Sequence, residues 1–326
     1  MKVFISFLSL IVVSLCLNDA YSFELENDYK AEWAGIELIV PDLRLKEELR
    51  NFVPIKIGDT FKASEARQFS NLCSDQIKEK TAYREVSCSI LWYGDGMAYL
   101  IVDVPENASK KYFREIPVKK TKMLQLPEVL NTLYKQWEAR FSFLMSSQQY
   151  PIEIFKDEYI DYEDPVLHGL ALKLKEAASK NINILLDIIN YSHSVEERRK
   201  AATLFSWARG VKNLELILNW EILADPDPTV RNNIARSFAN YMHTIKKNDN
   251  LLKKFINAYC DQALLPKFSD RNKALFAIKD ILENNPNLAS SVTSDCKRHI
   301  EYLQKESVLP NIHEPAKGIM NIINSA

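Results

Sequence analysis

Apolar residues in the C-terminal half of the chain recur at the spacing of an α-helix, and one arrangement occurs several times. Each copy has an arginine followed three, four and seven residues later by apolar side chains, which places all of them on one helix face. The copies are Arg198 with Ala201, Ala202 and Phe205; Arg231 with Ile234, Ala235 and Phe238; Arg271 with Ala274, Leu275 and Ile278; and, without the arginine, Leu167 with Leu170, Ala171 and Leu174. The starts at 167, 198, 231 and 271 are 31, 33 and 40 residues apart, the length of one helix pair with its turns.

A second apolar helical segment follows each copy. These segments are INILLDIINYS, LELILNWEILA, LLKKFINAYC and a last one around DCKRHIEYLQ. A helix pair cannot bury both of its apolar faces alone, so such pairs stack on their neighbours. Residues 164–326 are therefore predicted to form an all-α superhelical stack, in which small residues such as Ala201, Ala202 and Ala235 allow close approach of the helices.

The sequence Asp225-Pro226-Asp227-Pro228 marks a boundary between two of these units. Proline cannot continue a helix, and aspartate accepts hydrogen bonds from the free N–H groups at a helix start. The stretch Asp227-x-x-Val230-Arg231 resembles the start of a HEAT-like repeat, and Glu197-Arg198 and Asp270-Arg271 match that start in part. The resemblance implies that Arg198, Arg231 and Arg271 bond to carbonyls or carboxylates of adjoining units rather than to a ligand.

Short apolar runs alternate with amphipathic helices in residues 35–105. GIELIV is predicted as a strand, LKEELRNFV and SEARQFSNLCSDQIKEK as helices around the turn IKIGDTF, and VSCSILWY and MAYLIVDV as a hairpin around Gly94-Asp95-Gly96. This β-α-α-β-β order, with its turn and its hairpin, resembles a POTRA domain, the polypeptide-transport-associated module of outer-membrane assembly and secretion proteins. The predicted fold class is α+β: a small β-α-α-β-β domain within residues 23–105, followed by the helical stack.

Residues 106–163 are predicted as a charged linker with one helix, PEVLNTLYKQWEARFSFLM. The basic residues before the helix are Lys110, Lys111, Arg114, Lys119, Lys120 and Lys122, and the acidic residues after it are Glu153, Asp157, Glu158, Asp161, Glu163 and Asp164. An anionic docking surface and a calcium site are the functional alternatives. Because the acidic run lacks the glycine turn and oxygen spacing of a calcium loop, we expect both clusters to be solvated faces.

Residues 1–22 have the features of a signal peptide. Met1-Lys2 precedes the apolar run VFISFLSLIVVSLCL, and Ala20-Tyr21-Ser22 supplies small residues at the two positions that a signal peptidase recognises. We expect cleavage before Phe23 and export to a periplasmic or secreted location, with no transmembrane segment after cleavage. The alternatives are an uncleaved anchor, for which the run is short, and lipidation at Cys16, which Leu15 disfavours.

Export makes the other four cysteines informative. Cys73, Cys88, Cys260 and Cys296 fall into two local pairs, one in each half of the chain. In an oxidising compartment this even set predicts two disulfides, 73–88 and 260–296. Four free thiols or a redox-active pair are the alternatives; a zinc site is disfavoured because no Cys or His pair has ligand spacing.

Charge and motif content favour a binding protein. The formal net charge is −1, so no overall field favours nucleic acid. The five histidines are scattered, and HExxH, G-x-S-x-G and glycine-rich phosphate motifs are missing from the sequence. We therefore predict no catalytic, metal or cofactor site, and no cofactor.

Two functions remain after these exclusions. The first is an exported, non-enzymatic adaptor that binds a protein or peptide partner through the helical stack and a strand edge of the POTRA-like domain. The second is a repeat-fold lyase or hydrolase with its site around residues 150–170. Aromatic and cationic residues of the second helices are the predicted binding residues: Trp220, Lys253, Lys254, Tyr259, His299 and Tyr302. For the aromatic residues, a place in the core is the alternative.

Overall fold

The computed structural model describes most of the chain. The described residues are 30–39, 43–93, 96–104, 113–117, 124–147, 149, 151–156, 159–208, 211–239 and 248–325. The chain divides into two compact units, residues 1–107 and 108–326. The first unit contains a small sheet and the second is dominated by helices, which confirms the predicted α+β class.

Within the described residues, the first unit contains a four-stranded sheet and two α-helices. Its elements are β1 (Lys30–Ile39), α1 (Leu43–Arg50), β2 (Thr60–Lys62), α2 (Ala66–Lys80), β3 (Ser87–Trp92) and β4 (Met97–Asp103). The strand order is β2-β1-β4-β3, in which β1 and β4 are parallel and the other two pairings are antiparallel. The predicted order of elements is therefore present with one addition, the three-residue strand β2.

The core of this unit lies between the sheet and α2. The rings of Trp33 and Phe61 stack with centroids 3.9 Å apart, which fixes β2 against β1. Cys73 on α2 and Cys88 on β3 are bonded to each other, and both are buried in the same core cluster. Gly94 and Asp95 of the predicted hairpin turn lie outside the described residues, whereas Gly96 has φ 85°, a left-handed conformation that glycine adopts without strain.

The second unit consists of one hairpin and ten helices within the described residues. Its elements are α3 (Glu128–Ser146), β5 (Glu153–Phe155), β6 (Ile160–Tyr162), α4 (Pro165–Lys180), α5 (Ile182–Tyr191), α6 (Val195–Leu204), α7 (Val211–Asn219), α8 (Pro228–Ala239), α9 (Asp249–Ala263), α10 (Phe268–Asn284), α11 (Ser294–Glu306) and α12 (Pro310–Ser325). Helices α6, α8, α10 and α12 pack in sequence, each on the next. Helix α9 contacts both α10 and α11, and a Cys260–Cys296 bond joins α9 to α11.

The recurring sequence pattern corresponds to the buried face of these helices. All of its apolar positions are buried, and the alanines at 201, 202 and 235 are at most 1% exposed. Since α6 packs on α8, these small side chains lie where two helices approach each other. The three arginines of the pattern are buried as well, at 2% exposure for Arg198 and 1% for Arg231.

Residues 124–162 belong to this helical unit instead of forming a separate linker. Helix α3 packs on α4, and the β5–β6 hairpin packs on α4 as well. The indole of Trp137 meets that of Trp207 edge to face, with centroids 5.5 Å apart. Nε1 of Trp207 also donates a 3.0 Å hydrogen bond to the carbonyl of Ile160. Aromatic packing therefore joins a segment predicted as a solvated linker to the core of the helices.

Within the described residues, the structure contains no helix with both the length and the apolar character needed to cross a bilayer.

Candidate functional site

The first buried charge centre of the helical unit is the carboxylate of Asp225, three residues before the start of α8. It is fully buried and accepts hydrogen bonds from two arginines. Arg198 of α6 donates from Nε and Nη2 at 3.1 and 3.2 Å, and Arg114 donates from Nη2 at 2.7 Å. Two guanidinium groups thus share one buried carboxylate, and we call this arrangement the Asp225 centre.

A second centre surrounds Asp270, at the start of α10. Its carboxylate accepts two hydrogen bonds from Arg231, at 2.9 and 2.6 Å, and a third from the side-chain amide of Gln262 at 3.2 Å. Arg231 also donates to the carbonyls of Asp225 and Pro226, at 2.5 and 3.1 Å, so it joins the two centres. Buried ion pairs of this kind hold neighbouring elements in register. We call this arrangement the Asp270 centre.

These contacts confirm the structural role expected for the three repeated arginines. Arg198 and Arg231 bond to the carboxylates described above. Arg271 donates from Nε to the carbonyl of Leu265 at 3.1 Å. Their guanidinium groups hold the helical framework together and are not available as a row of surface ligands.

Arg114 belongs to the basic stretch that was predicted to be solvated, and the structure corrects that prediction for this residue; the five lysines of the stretch lie outside the described residues. Its side chain is 3% exposed. Besides Asp225, its guanidinium binds the carbonyl of Ile189 at 2.8 Å and the side-chain oxygen of Asn190 at 2.9 Å. Its backbone N–H donates to the carbonyl of Ala224 at 2.8 Å. Burial lowers the pKa of Arg114, and the hydrogen bond to Asp225 opposes this effect.

The acidic cluster is also partly engaged rather than solvated. Asp164 caps α4 and forms two hydrogen bonds with Arg140, at 3.1 and 2.5 Å. Glu153 pairs with Arg236 of α8. Among the described residues, no group of three or more His, Cys, Asp or Glu side chains is arranged to hold a metal ion.

An open cleft of about 380 Å³ lies directly over the Asp225 centre. Its lining residues are Arg114, Glu115, Pro117, Asn190, Tyr191, Asn219, Trp220 and Glu221. The rings of Tyr191, at the end of α5, and Trp220, after α7, have centroids 6.2 Å apart and form its aromatic part. Leu216, one turn before Trp220 and 39% exposed, adds apolar surface beside the aromatic pair. We call this site the Trp220 cleft.

The rim of the Trp220 cleft is acidic. Glu115 and Glu221 are exposed, and neither forms a salt bridge with any residue in the described ranges. Glu221 has φ 55°, a left-handed conformation that is uncommon for a residue with a Cβ atom. The pKa of Asp261 is raised by partial burial and by the nearby carboxylate of Glu221, so a third acidic group lies close to this rim. Acidic side chains therefore lie beside the half-buried aromatic pair of the cleft.

Of the six predicted binding residues, Trp220 alone lines this cleft. Tyr259 is fully buried, its hydroxyl donates to the carbonyl of Ala235 at 3.2 Å, and burial raises its pKa. Tyr259 is therefore a core residue and not a surface contact.

The other four predicted residues lie elsewhere on the helical unit. Lys253 and Lys254 are exposed on α9, and His299 and Tyr302 are partly exposed on α11 with their rings stacked at 6.1 Å. Burial, followed by the charge of Arg271, lowers the pKa of His299 to about 3, so its imidazole is neutral at physiological pH. The structure does not combine these four with Trp220 in one cleft, and their role in binding stays a prediction.

Sequence reasoning missed one polar pair in the region of residues 150–170. Nδ1 of His168 on α4 lies 2.7 Å from Oδ1 of Asp161 on β6. The carboxylate is buried and the imidazole side chain is 48% exposed. The seven-residue separation crosses from a strand to a helix, so no periodicity in the sequence pointed to this contact.

No protein-family model matches the chain, and no curated protein matches it. The geometry of the site therefore carries the functional argument.

Proposed function

We propose that this protein is an exported, non-enzymatic adaptor that binds a protein or peptide partner in the Trp220 cleft. Two disulfides fit a protein of an oxidising compartment, either the periplasm or the extracellular space. In this proposal the helical unit is a superhelical HEAT-like scaffold. The sheet unit is a POTRA-like domain, and the two act in envelope protein assembly or secretion.

The observation that carries the proposal is the pairing of a half-buried aromatic pair that lines the cleft with a rigid floor. Tyr191 and Trp220 are the residue types that dominate binding energy at protein interfaces. Beneath them Arg114, Asn190 and Asp225 are fixed by short hydrogen bonds, so little conformational freedom is lost when a partner binds. A cleft of this open shape suits a side chain or a short segment of a protein.

Site-specific photocrosslinking tests this proposal. A photoreactive residue at Asn219, which is exposed in the cleft, should form a discrete adduct with a partner in the exported fraction. The matched control places the same group at Lys305, which is 66% exposed on α11. Trp220→Ala should weaken the Asn219 adduct. Identical adducts from both positions, or an adduct that Trp220→Ala leaves unchanged, would contradict the proposal.

A lyase or hydrolase is the second candidate function, and the His168–Asp161 pair favours it. A buried carboxylate that accepts from Nδ1 leaves Nε2 of a neutral imidazole as the proton acceptor, the arrangement of a general base. The test is hydrolysis of p-nitrophenyl acetate by the mature protein and by His168→Gln. An enzyme should exceed the rate of free imidazole at equal concentration and lose that excess on substitution. A rate no higher than that of imidazole removes this candidate.

A further inference from the structure

We infer that the Trp220 cleft selects a cationic segment of its partner, one that presents a lysine or arginine side chain. This inference rests on the proposed function, because it names the chemical class of the partner bound at the same site. It is carried by two independent features of the cleft: the charge of its rim and the chemistry of its rings.

The rim supplies exposed carboxylates, and the charge of the buried Arg114 attracts one of them, Glu221. Glu115 and Glu221 are exposed, and among the described residues neither has a salt bridge. Asp261 adds a third negative group near Glu221. Like charges held close together repel, so a cation placed between them relieves this repulsion as well as forming new ion pairs.

The rings supply the second attraction. The ring centroids of Tyr191 and Trp220 are 6.2 Å apart, and the ring planes are tilted by 53°. Both residues line the same cleft. The face of an aromatic ring attracts a cation within about 6 Å, and tryptophan does so most strongly. The aliphatic stem of a lysine or arginine can also cover the apolar surface of the rings while its charged end reaches the rim.

The one cation that lines the cleft within the described part of the chain does not reverse this preference. Arg114 lies at the floor with its side chain 3% exposed; Asp225, Asn190 and Ile189 accept from its two Nη atoms, and its Nε, which has no hydrogen-bond partner among the described residues, is buried away from the cleft surface. Asp225 also neutralises Arg198, so the floor keeps part of one positive charge. To reach that charge, an acidic segment would have to pass the carboxylates of Glu115 and Glu221. The experiment therefore compares a cationic probe with an anionic one.

The experiment follows the indole N–H signals of the mature protein labelled with ¹⁵N-tryptophan, with the Trp220 signal assigned from Trp220→Phe. The probes are three short peptides: Ac-Gly-Lys-Gly-Lys-Gly-NH₂, the same peptide with both lysines acetylated, and Ac-Gly-Glu-Gly-Glu-Gly-NH₂. The lysine peptide should shift the Trp220 signal saturably, and the shift should weaken as salt is raised. The acetylated and glutamate peptides should shift it little.

Matched variants separate a local site from general attraction. Glu221→Gln should weaken binding of the lysine peptide about tenfold, which is the effect of losing roughly 1.4 kcal/mol. Glu176→Gln removes the same charge from a glutamate that is 70% exposed on α4 and outside the cleft, and it should leave binding unchanged. Equal shifts from the acetylated or the glutamate peptide, or equal effects of the two variants, would overturn the inference. A discrete Asn219 adduct alongside that outcome would leave the adaptor proposal in place, so the two failures are distinguishable.

Discussion

Asp225 and Asp270 are both buried carboxylates that bind arginines of the helical unit. Different parts of the chain supply the additional hydrogen-bond donor at each of them. Each carboxylate accepts two hydrogen bonds from the arginine of the preceding copy of the sequence pattern. The Asp270 centre is completed by Gln262, which belongs to the neighbouring helix α9. The Asp225 centre is completed by Arg114, which lies 111 residues away in the segment that precedes the helices.

This difference shows how a segment outside helices α4 to α12 becomes part of their framework. At the Asp270 centre one arginine faces one carboxylate, so the buried charges balance. At the Asp225 centre two arginines face one carboxylate, and the excess positive charge lies beneath the acidic rim of the Trp220 cleft. The Trp220 cleft and the irregular charge centre therefore occur together.

The largest expected effect comes from removing the shared carboxylate. Asp225→Asn leaves two buried guanidinium groups without an anion and should lower the free energy of unfolding by about 3–5 kcal/mol. Asp270→Asn leaves only one such group and should cost less. Urea unfolding of both variants measures the difference. Asp295→Asn, at an exposed pair with Arg298, is the control and should have little effect. A cost of Asp270→Asn equal to or above that of Asp225→Asn would contradict the comparison.

A smaller effect is expected from removing Arg114. Arg114→Met should cost about 1–3 kcal/mol because the carbonyls of Ile189 and Asn190 lose their donor while Asp225 keeps Arg198. In the Asp225→Asn background the same change should restore stability, since it removes one of the two unpaired charges. Gln262→Leu in the Asp270→Asn background should give no such recovery. If the stability losses of Asp225→Asn and Arg114→Met simply added in the double variant, the charge imbalance would be excluded.

Acid should lower the stability of the surroundings of Asp270 more than that of the surroundings of Asp225. His299 lies near Arg271, and its pKa falls from 6.5 to about 3 on folding. The unfolded chain therefore binds a proton that the folded chain does not, and stability is lost as the pH falls from about 6.5 towards 3. The slope is at most about 1.4 kcal/mol per pH unit for one group. His299→Phe should flatten this part of the stability profile. An unchanged slope would show that other groups dominate.

The smallest effect on stability is expected in the cleft. Trp220→Ala removes a side chain that lines open space and should cost less than about 1 kcal/mol. Tyr259→Ala removes a fully buried ring and should cost about 3–5 kcal/mol. Thermal and urea unfolding of the two variants measure this contrast. A large loss for Trp220→Ala would assign Trp220 to the core.

Periodic features were predictable from the sequence, and contacts between distant irregular segments were not. The spacing around Arg198 and Arg231 identified buried helix faces, and the pairing of cysteines followed from their separation into two local sets. Strand β2 was missed because three residues cannot show an alternation of apolar and polar positions. The partner of Arg114 was missed because nothing in a basic stretch distinguishes an arginine that will be buried.

The cleft itself was predictable only in part. Trp220 was recognised because an aromatic residue stands out on a helix of a repeat. Glu221 was not, since its left-handed backbone and its position beside Tyr191 arise from the turn after α7 and from the packing of α5. Tyr259 was misplaced because a tyrosine at helical spacing gives the same pattern in a groove and in a core.

The burial of Asn190 has a consequence for how the protein can be produced. Asn190-Tyr191-Ser192 is an acceptor sequence for N-linked sugars, which are attached to the amide of the asparagine in the eukaryotic secretory pathway. In the folded protein Asn190 is 3% exposed and its side chain accepts from Arg114. A glycan attached to Nδ2 before folding would place a bulky group on this buried side chain and oppose its packing beside Arg114. Expression in a eukaryotic secretory host would thus yield a chain whose oligosaccharide competes with its own fold, whereas a host without that modification leaves the centre free to close.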